Sequence, residues 1–114
     1  MEQWKQSSTA PQILILFYMV QFKFKEHDMM VIVSSYCNNN NLYVGLEDED
    51  HELWDMTVNL EQKLPPNQAY IDTNNFPEAT VLINNHHLGK FTGRTKQSGF
   101  YKYPLYEFDM TRLA

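Results

Sequence analysis

Six of the chain's fourteen acids fall within nine residues, in the run Glu47-Asp48-Glu49-Asp50 with Glu52 and Asp55. A calcium loop needs spaced oxygen ligands and a Gly at its sharp turn, and this run has neither. Charge of this density is the solvated tip of a hairpin, or an anionic contact for a basic protein groove, including one that normally holds nucleic acid. Glu47, Asp48, Glu49, Asp50 and Glu52 are the residues such a contact would use. The opposite sign gathers later. Lys90, Arg94, Lys96 and Lys102 lie in a stretch from Asn84 to Tyr103 without an acid, interleaved with Phe100, Tyr101 and Tyr103. Cations among aromatics can hold single-stranded nucleic acid, or they are a solvated loop beside a core strand.

Other constellations are weaker. His86 and His87 are adjacent, so on a helix they point about 100° apart and do not readily share a metal. A zinc site needs further Cys or His at ligand spacing, whereas His27, His51 and Cys37 stand alone. No metal or cofactor is expected. Thr92 to Gly99 lacks the spacing of a phosphate loop, because Phe rather than Lys follows Gly99. No Gly-x-Ser-x-Gly elbow occurs. An enzyme would have to be assembled from Asp72, His86 or His87, and Arg94, and no spacing in the sequence demands that. It is the last of the three functional readings.

The elements that must position these residues follow from patterning. Val20, Phe22 and Phe24 alternate with Gln21, Lys23 and Lys25, the period of a half-buried strand. Met29 to Val33 is a second strand, and Asn38 to Asn41 a turn whose side chains cap local backbone and tolerate positive φ. Leu42 to Leu46 and Leu53 to Leu60 flank the acidic run as a hairpin, with Trp54, Met56, Val58 and Leu60 on one face. Leu64-Pro65-Pro66-Asn67 is a break, and Ala69 to Asp72 a short strand. Asn74 or Asn75 with Pro77 starts a helix. Phe76, Ala79, Leu82 and Ile83 are its apolar face, with Gly89 as terminator. Gly93 and Gly99 bracket a loop. Phe100 to Phe108 is a last strand, placed at an edge or bulge by Pro104. The predicted fold is α+β: an antiparallel sheet of about five or six strands packed with one main helix.

At 114 residues with 43% apolar content, the chain has room for one core. Residues 1–11 read as a flexible tail and 12–114 as a single α+β domain. A net charge of −5 argues against general affinity for nucleic acid or anionic membranes. The single cysteine fits a reducing compartment. Ile13 to Val20 is too short to span a membrane, and the segment before it lacks the net positive charge of a signal peptide. A cytoplasmic protein is expected.

The blocks Thr57-Val-Asn-Leu60, Tyr70-Ile-Asp72, Leu88-Gly89, Thr92-Gly-Arg94, Ser98-Gly-Phe100 and Tyr103-Pro-Leu-Tyr106 resemble a small family of unknown function. That family is carried on plasmids, conjugative elements and phages of Gram-positive bacteria. The resemblance covers roughly residues 20–110, with Thr-Gly-Arg-x4-Gly-Phe its most specific part. Residues before Met19 look like an addition, so Met19 is an alternative to Met1 as the start. The family has no assigned catalytic residues. Its setting implies a non-enzymatic inhibitor of a host nucleic-acid-targeting defence, anti-CRISPR-like, whose partner is a host protein such as a defence nuclease complex. The alternative is a nucleic-acid-binding accessory protein using residues 90–103.

Because residues 1–11 are polar and end in Pro11, deleting them should change unfolding free energy by no more than about 0.5 kcal/mol. A denaturant melt of the truncated chain checks this, and a clear loss would show that the tail packs on the domain.

Overall fold

The computed structural model describes residues 20–113. The expected tail and the apolar run as far as Met19 lie outside the described residues. The alternating segment from Val20 does form a strand, β1 (Gln21–Phe24). It pairs antiparallel with β2 (His27–Ser35) through a two-residue turn in which Lys25 and Glu26 have φ of 51° and 66°. Both values belong to the left-handed region that Asn and Gly usually fill in such turns. Two contacts hold the turn: Lys25 lies 3.1 Å from Glu78, and its ammonium sits 5.4 Å from the Phe24 ring centre.

β3 (Leu42–Glu47) and β4 (Leu53–Asp55) complete a sheet in chain order, β1-β2-β3-β4. The expected hairpin around the acidic run is present, in the register Leu46↔Trp54 and Glu47↔Leu53. The strand expected from Leu53 to Leu60 breaks at Met56. Its continuation, β5 (Thr57–Val58), belongs to a second sheet with β6 (Gln68–Ile71), β7 (Gly89–Ser98) and β8 (Tyr101–Phe108), ordered β5-β6-β8-β7. The α+β class stands, but among the described residues the single sheet of five or six strands gives way to two sheets of four. The main helix is short, α1 (Ala79–Asn85), with one further turn, α2 (Met110–Leu113).

Packing explains the break. Met29, Val31, Val44 and Leu46 of the first sheet meet Ala69, Ile71, Tyr106 and Phe108 of the second, with Ala79, Leu82 and Ile83 from α1. Met56 is completely buried among them, which stabilises the fold by about 1.5–3 kcal/mol. Its neighbours two and four residues on, Val58 and Leu60, pack instead against a smaller cluster of Leu64, Tyr70, Tyr103 and Leu105. One apolar alternation therefore serves two cores on opposite faces of the second sheet.

Three further expectations change. α1 begins after Glu78 and has no side-chain cap; Asn74, Asn75 and Pro77 lie in the preceding turns. Asp72 holds that turn by accepting from the Asn75 backbone N–H at 3.2 Å and side-chain amide at 3.0 Å. The helix ends at Asn85 and is terminated by a left-handed His87 (φ 58°) rather than by Gly89, with Leu88 N–H donating to Ile83 C=O and His87 N–H to Asn84 C=O. This is the paired closure of a Schellman cap. Gly89 opens β7, where an added Cβ would lie 2.6 Å from the Glu107 carbonyl. Residues between Gly93 and Gly99 are strand rather than loop. Gly93 (φ 90°) falls in a bulge and Gly99 (φ 63°) in the β7–β8 turn. Pro104 pairs with Thr95 beside that bulge, as expected, but β8 is interior to its sheet and not an edge.

The Asn run makes more than a turn. Asn41 is buried; its amide donates to Gln62 C=O at 2.7 Å and accepts from Leu64 N–H at 3.0 Å. It also donates to Asn59 Oδ1, which Asn39 shares. These bonds fasten residues 59–64 to the β2–β3 turn. Truncation to Ala leaves the buried Leu64 N–H without its partner, at about 1–3 kcal/mol, and also removes the part-buried bond to Gln62 C=O and the bond to Asn59. Asn41→Ala should therefore lower unfolding free energy by about 2–4 kcal/mol, against less than about 0.5 for the exposed Asn38→Ala by denaturant melt; equal effects would refute the assignment.

Candidate functional site

The acidic tip is largely occupied with its own structure. Asp48 is buried; one oxygen accepts from the Asp50 and Glu52 N–H groups at 2.9 and 3.0 Å, the other from the Trp54 indole at 3.1 Å. Burial works to raise its pKa, but these hydrogen bonds to the charged form outweigh it and hold the carboxyl below the usual range. Glu49 accepts from Asp28 N–H at 3.0 Å and contacts His27 Nδ1 at 3.0 Å. Glu47 contacts His51 Nδ1 at 3.2 Å. Asp48 thus belongs to the inside of the turn and not to its outward face. Asp50 and Glu52 are exposed.

The basic residues assemble differently. In the β7–β8 register Lys90 faces Glu107 and Lys96 faces Tyr103, which puts both cations on the face of the second cluster. Lys102 pairs with Gln97, one position out of phase, and falls on the opposite face. Between Phe91↔Tyr106 and Thr95↔Pro104 four steps on β7 oppose two on β8. A bulge of this kind bends the strand and re-aims its side chains. Thr92 braces it, donating from its hydroxyl to Leu105 C=O at 2.9 Å and accepting from Arg94 N–H at 3.2 Å.

A groove of about 860 Å³ results, floored by Leu64, Tyr70 and Leu105 and lined by Lys90, Arg94 and Lys96. Lys63 joins them from the loop fastened by Asn41, with its ammonium donating to Asn39 C=O at 2.9 Å. Four cations face one carboxylate there, Glu107, whose Oε2 accepts from the Asn67 amide at 3.1 Å. Lys63 was missing from the sequence-based set because it lies 27 residues before Lys90. Only the strand order β5-β6-β8-β7 brings its loop to the same face.

Residues 30–114 match a family described as a domain of unknown function, DUF4313. The chain belongs to that family. The match spans the acidic tip, the groove and the β7–β8 hairpin, while β1 and its turn precede it. An unknown-function family agrees with the resemblance read from the sequence. No curated protein matches the chain, and neither does any solved structure.

The residues of the enzyme reading stay apart in their contacts. Asp72 serves the turn before α1, Arg94 lines the groove, and His87 is the exposed helix terminator. His86 stacks on Phe22, with centroids 3.9 Å apart and planes 9° from parallel. Among the described residues no group of three His, Cys, Asp or Glu is placed to hold a metal, and no helix is long and apolar enough to cross a membrane. Cys37 is exposed and unbridged.

The histidines report on the tip. The hydrogen bond to Glu49 raises the His27 pKa, whereas burial, then the charges of Arg112 and His87, lowers that of His86. Glu49 is held below its ordinary value by its own backbone N–H and by His27. Depressed carboxyls stabilise above their ordinary range and lose this as pH falls; a raised His stabilises below about 6.5 and loses it as pH climbs. The tether is therefore strongest between the carboxylate range and about pH 6.5. In an NMR titration His27 should keep its proton to higher pH than His86, and Glu49→Gln should return only His27 towards its ordinary value. The reverse order would show that the tether does not persist in solution.

Proposed function

We propose that this DUF4313 domain is a non-enzymatic binding module whose basic groove takes an extended anionic chain, a single-stranded nucleic acid. The carrying observation is the convergence of Lys63 with Lys90, Arg94 and Lys96 over one apolar floor. Cations on β7 alone have another explanation, because lysines on an edge strand discourage pairing with a second sheet. Lys63 lies on no edge, yet it faces the same groove. Net charge does not forbid the reading, since fields decay over about 8 Å at physiological salt and local groups dominate. An accessory protein of a mobile genetic element is the setting in which such a module would act.

A second reading rests on the first sheet. A hollow of about 630 Å³ beside Glu47 and Glu49, lined by Phe22, Met29 and Met30, gives the acidic tip an apolar neighbour suited to a protein contact. An inhibitor that seats this tip in the basic groove of a host defence complex is its concrete form. It is the weaker reading here, because Asp48 is turned inward and Glu47 and Glu49 are already engaged.

Four phosphate contacts give a slope of about −3 for log affinity against log salt, at about −0.7 per contact on a single strand. Binding of a labelled oligothymidine should show this slope, reduced to about −1 when Lys90, Arg94 and Lys96 become Gln. No binding at low salt, or an unchanged slope in the triple variant, would sink the groove reading.

A further inference from the structure

We propose that Phe100 is the base-stacking residue of this domain, its ring held at the apex of the β7–β8 hairpin to receive an unpaired base of the strand whose phosphates lie in the groove. The inference rests on the groove reading and adds to it the contact that would select a single strand over a simple polyanion.

The apex is built to display that ring. Ser98 pairs with Tyr101, so Gly99 and Phe100 are the two central residues of the turn, and Gly99 takes φ 63° at the first of them. Gly in that place is the preference of a type II′ turn, which matches the twist of the flanking strands and leaves the second position free for any side chain. Turns ordinarily place Gly, Asn, Asp or Ser there. Phe100 instead stands in solvent at 106% of reference exposure, the extreme among the exposed large apolar residues. Other aromatics on the hairpin have partners: Phe91 leans on Tyr106 at 5.8 Å and Tyr101 on Tyr103 at 5.0 Å. Phe100 contributes nothing to either core.

Charge flanks it on both faces. Lys96 precedes the turn on the groove face and Lys102 follows it on the other. At about 3.3 Å per strand residue, Lys96 lies roughly 10 Å from the apex along the hairpin. A backbone gripped at Arg94 and Lys96 thus brings a neighbouring base within reach of the ring. Lys102, which the groove does not use, acquires a role beside the next phosphate. Every base has a π face, so such a contact holds single strands with little regard to sequence.

The test uses the full chain and a labelled 15-nucleotide oligothymidine, read by fluorescence anisotropy at two salt concentrations. Phe100→Ala should weaken binding roughly 5- to 150-fold, the range for loss of one stacked base, with the salt slope unchanged. Phe100→Trp should bind at least as tightly as the wild type, with indole emission quenched on binding. Melting temperature should not move in either variant, since the ring is outside both cores. Wild-type affinity in Phe100→Ala would overturn the stacking role while leaving the groove reading intact. Equal losses in the Ala and Trp variants would also overturn it, because Trp offers the larger π face. A wild type that ignores the oligonucleotide at low salt removes the groove reading itself and this inference with it.

Discussion

The passage of the chain through Met56 and Thr57 is the constraint on which the rest depends. Met56 is fully buried, and its backbone is bound on both sides: its N–H donates to Val44 C=O at 3.1 Å, and its C=O accepts from Asp72 N–H at 2.8 Å. Thr57 repeats the link through its hydroxyl, which accepts from Val44 N–H at 3.2 Å and bonds the Tyr36 hydroxyl at 2.9 Å. Two residues thus join β3 of one sheet to the strand that edges the other. Once the chain has crossed there, the acids before residue 56 stay with the first sheet, while Lys63 and the cations of β7 are committed to the second. Segregation of charge follows from topology.

The same crossing explains what could and could not be read in the sequence. β1, β2 and the acidic hairpin were legible because their apolar alternation faces a single core. Leu53 to Leu60 kept that alternation while changing sheets, since Val58 and Leu60 found a second cluster to bury against; periodicity counts buried positions and is silent about which core buries them. The β1–β2 turn was invisible because Lys25-Glu26 carries no turn signature and is held by contacts with Glu78 and Phe24. Likewise the helix terminator was sought at Gly89, although the left-handed position fell on His87 and Gly89 was needed for close approach to β8.

The candidate sites divide along similar lines. Clusters of charge are visible as composition, but their use depends on hydrogen bonds that composition does not encode. Asp48 looked like one of a row of equivalent carboxylates, yet three donors converge on it and draw it inward. The basic quartet looked continuous along the chain, but strand alternation sends Lys102 to the far face and topology supplies Lys63 in its place. Of the four cations that cluster in the sequence, three line the groove, joined by one from a loop that the buried Asn41 helps hold in position.

That dependence sets how rigid the groove is. Its floor, Leu64, Tyr70 and Leu105, is buried, and Tyr70 donates its hydroxyl to Gln62 at 2.9 Å, tying the loop to β6 from below as Asn41 does from the side. Lys63 is therefore positioned by its neighbour Leu64, whose N–H bond to Asn41 is buried and so costly to break, and by part-buried bonds at Gln62. On the opposite wall, β7 is an edge strand: past the bulge at Gly93 it is hydrogen-bonded only to β8, and most of its residues are exposed. Segments with few buried contacts open at low free energy. The groove thus joins a wall at Lys63, tied down through Asn41 and Tyr70, to an exposed edge strand carrying Arg94 and Lys96, while β8 between them stays anchored in both cores through Tyr103, Leu105, Tyr106 and Phe108.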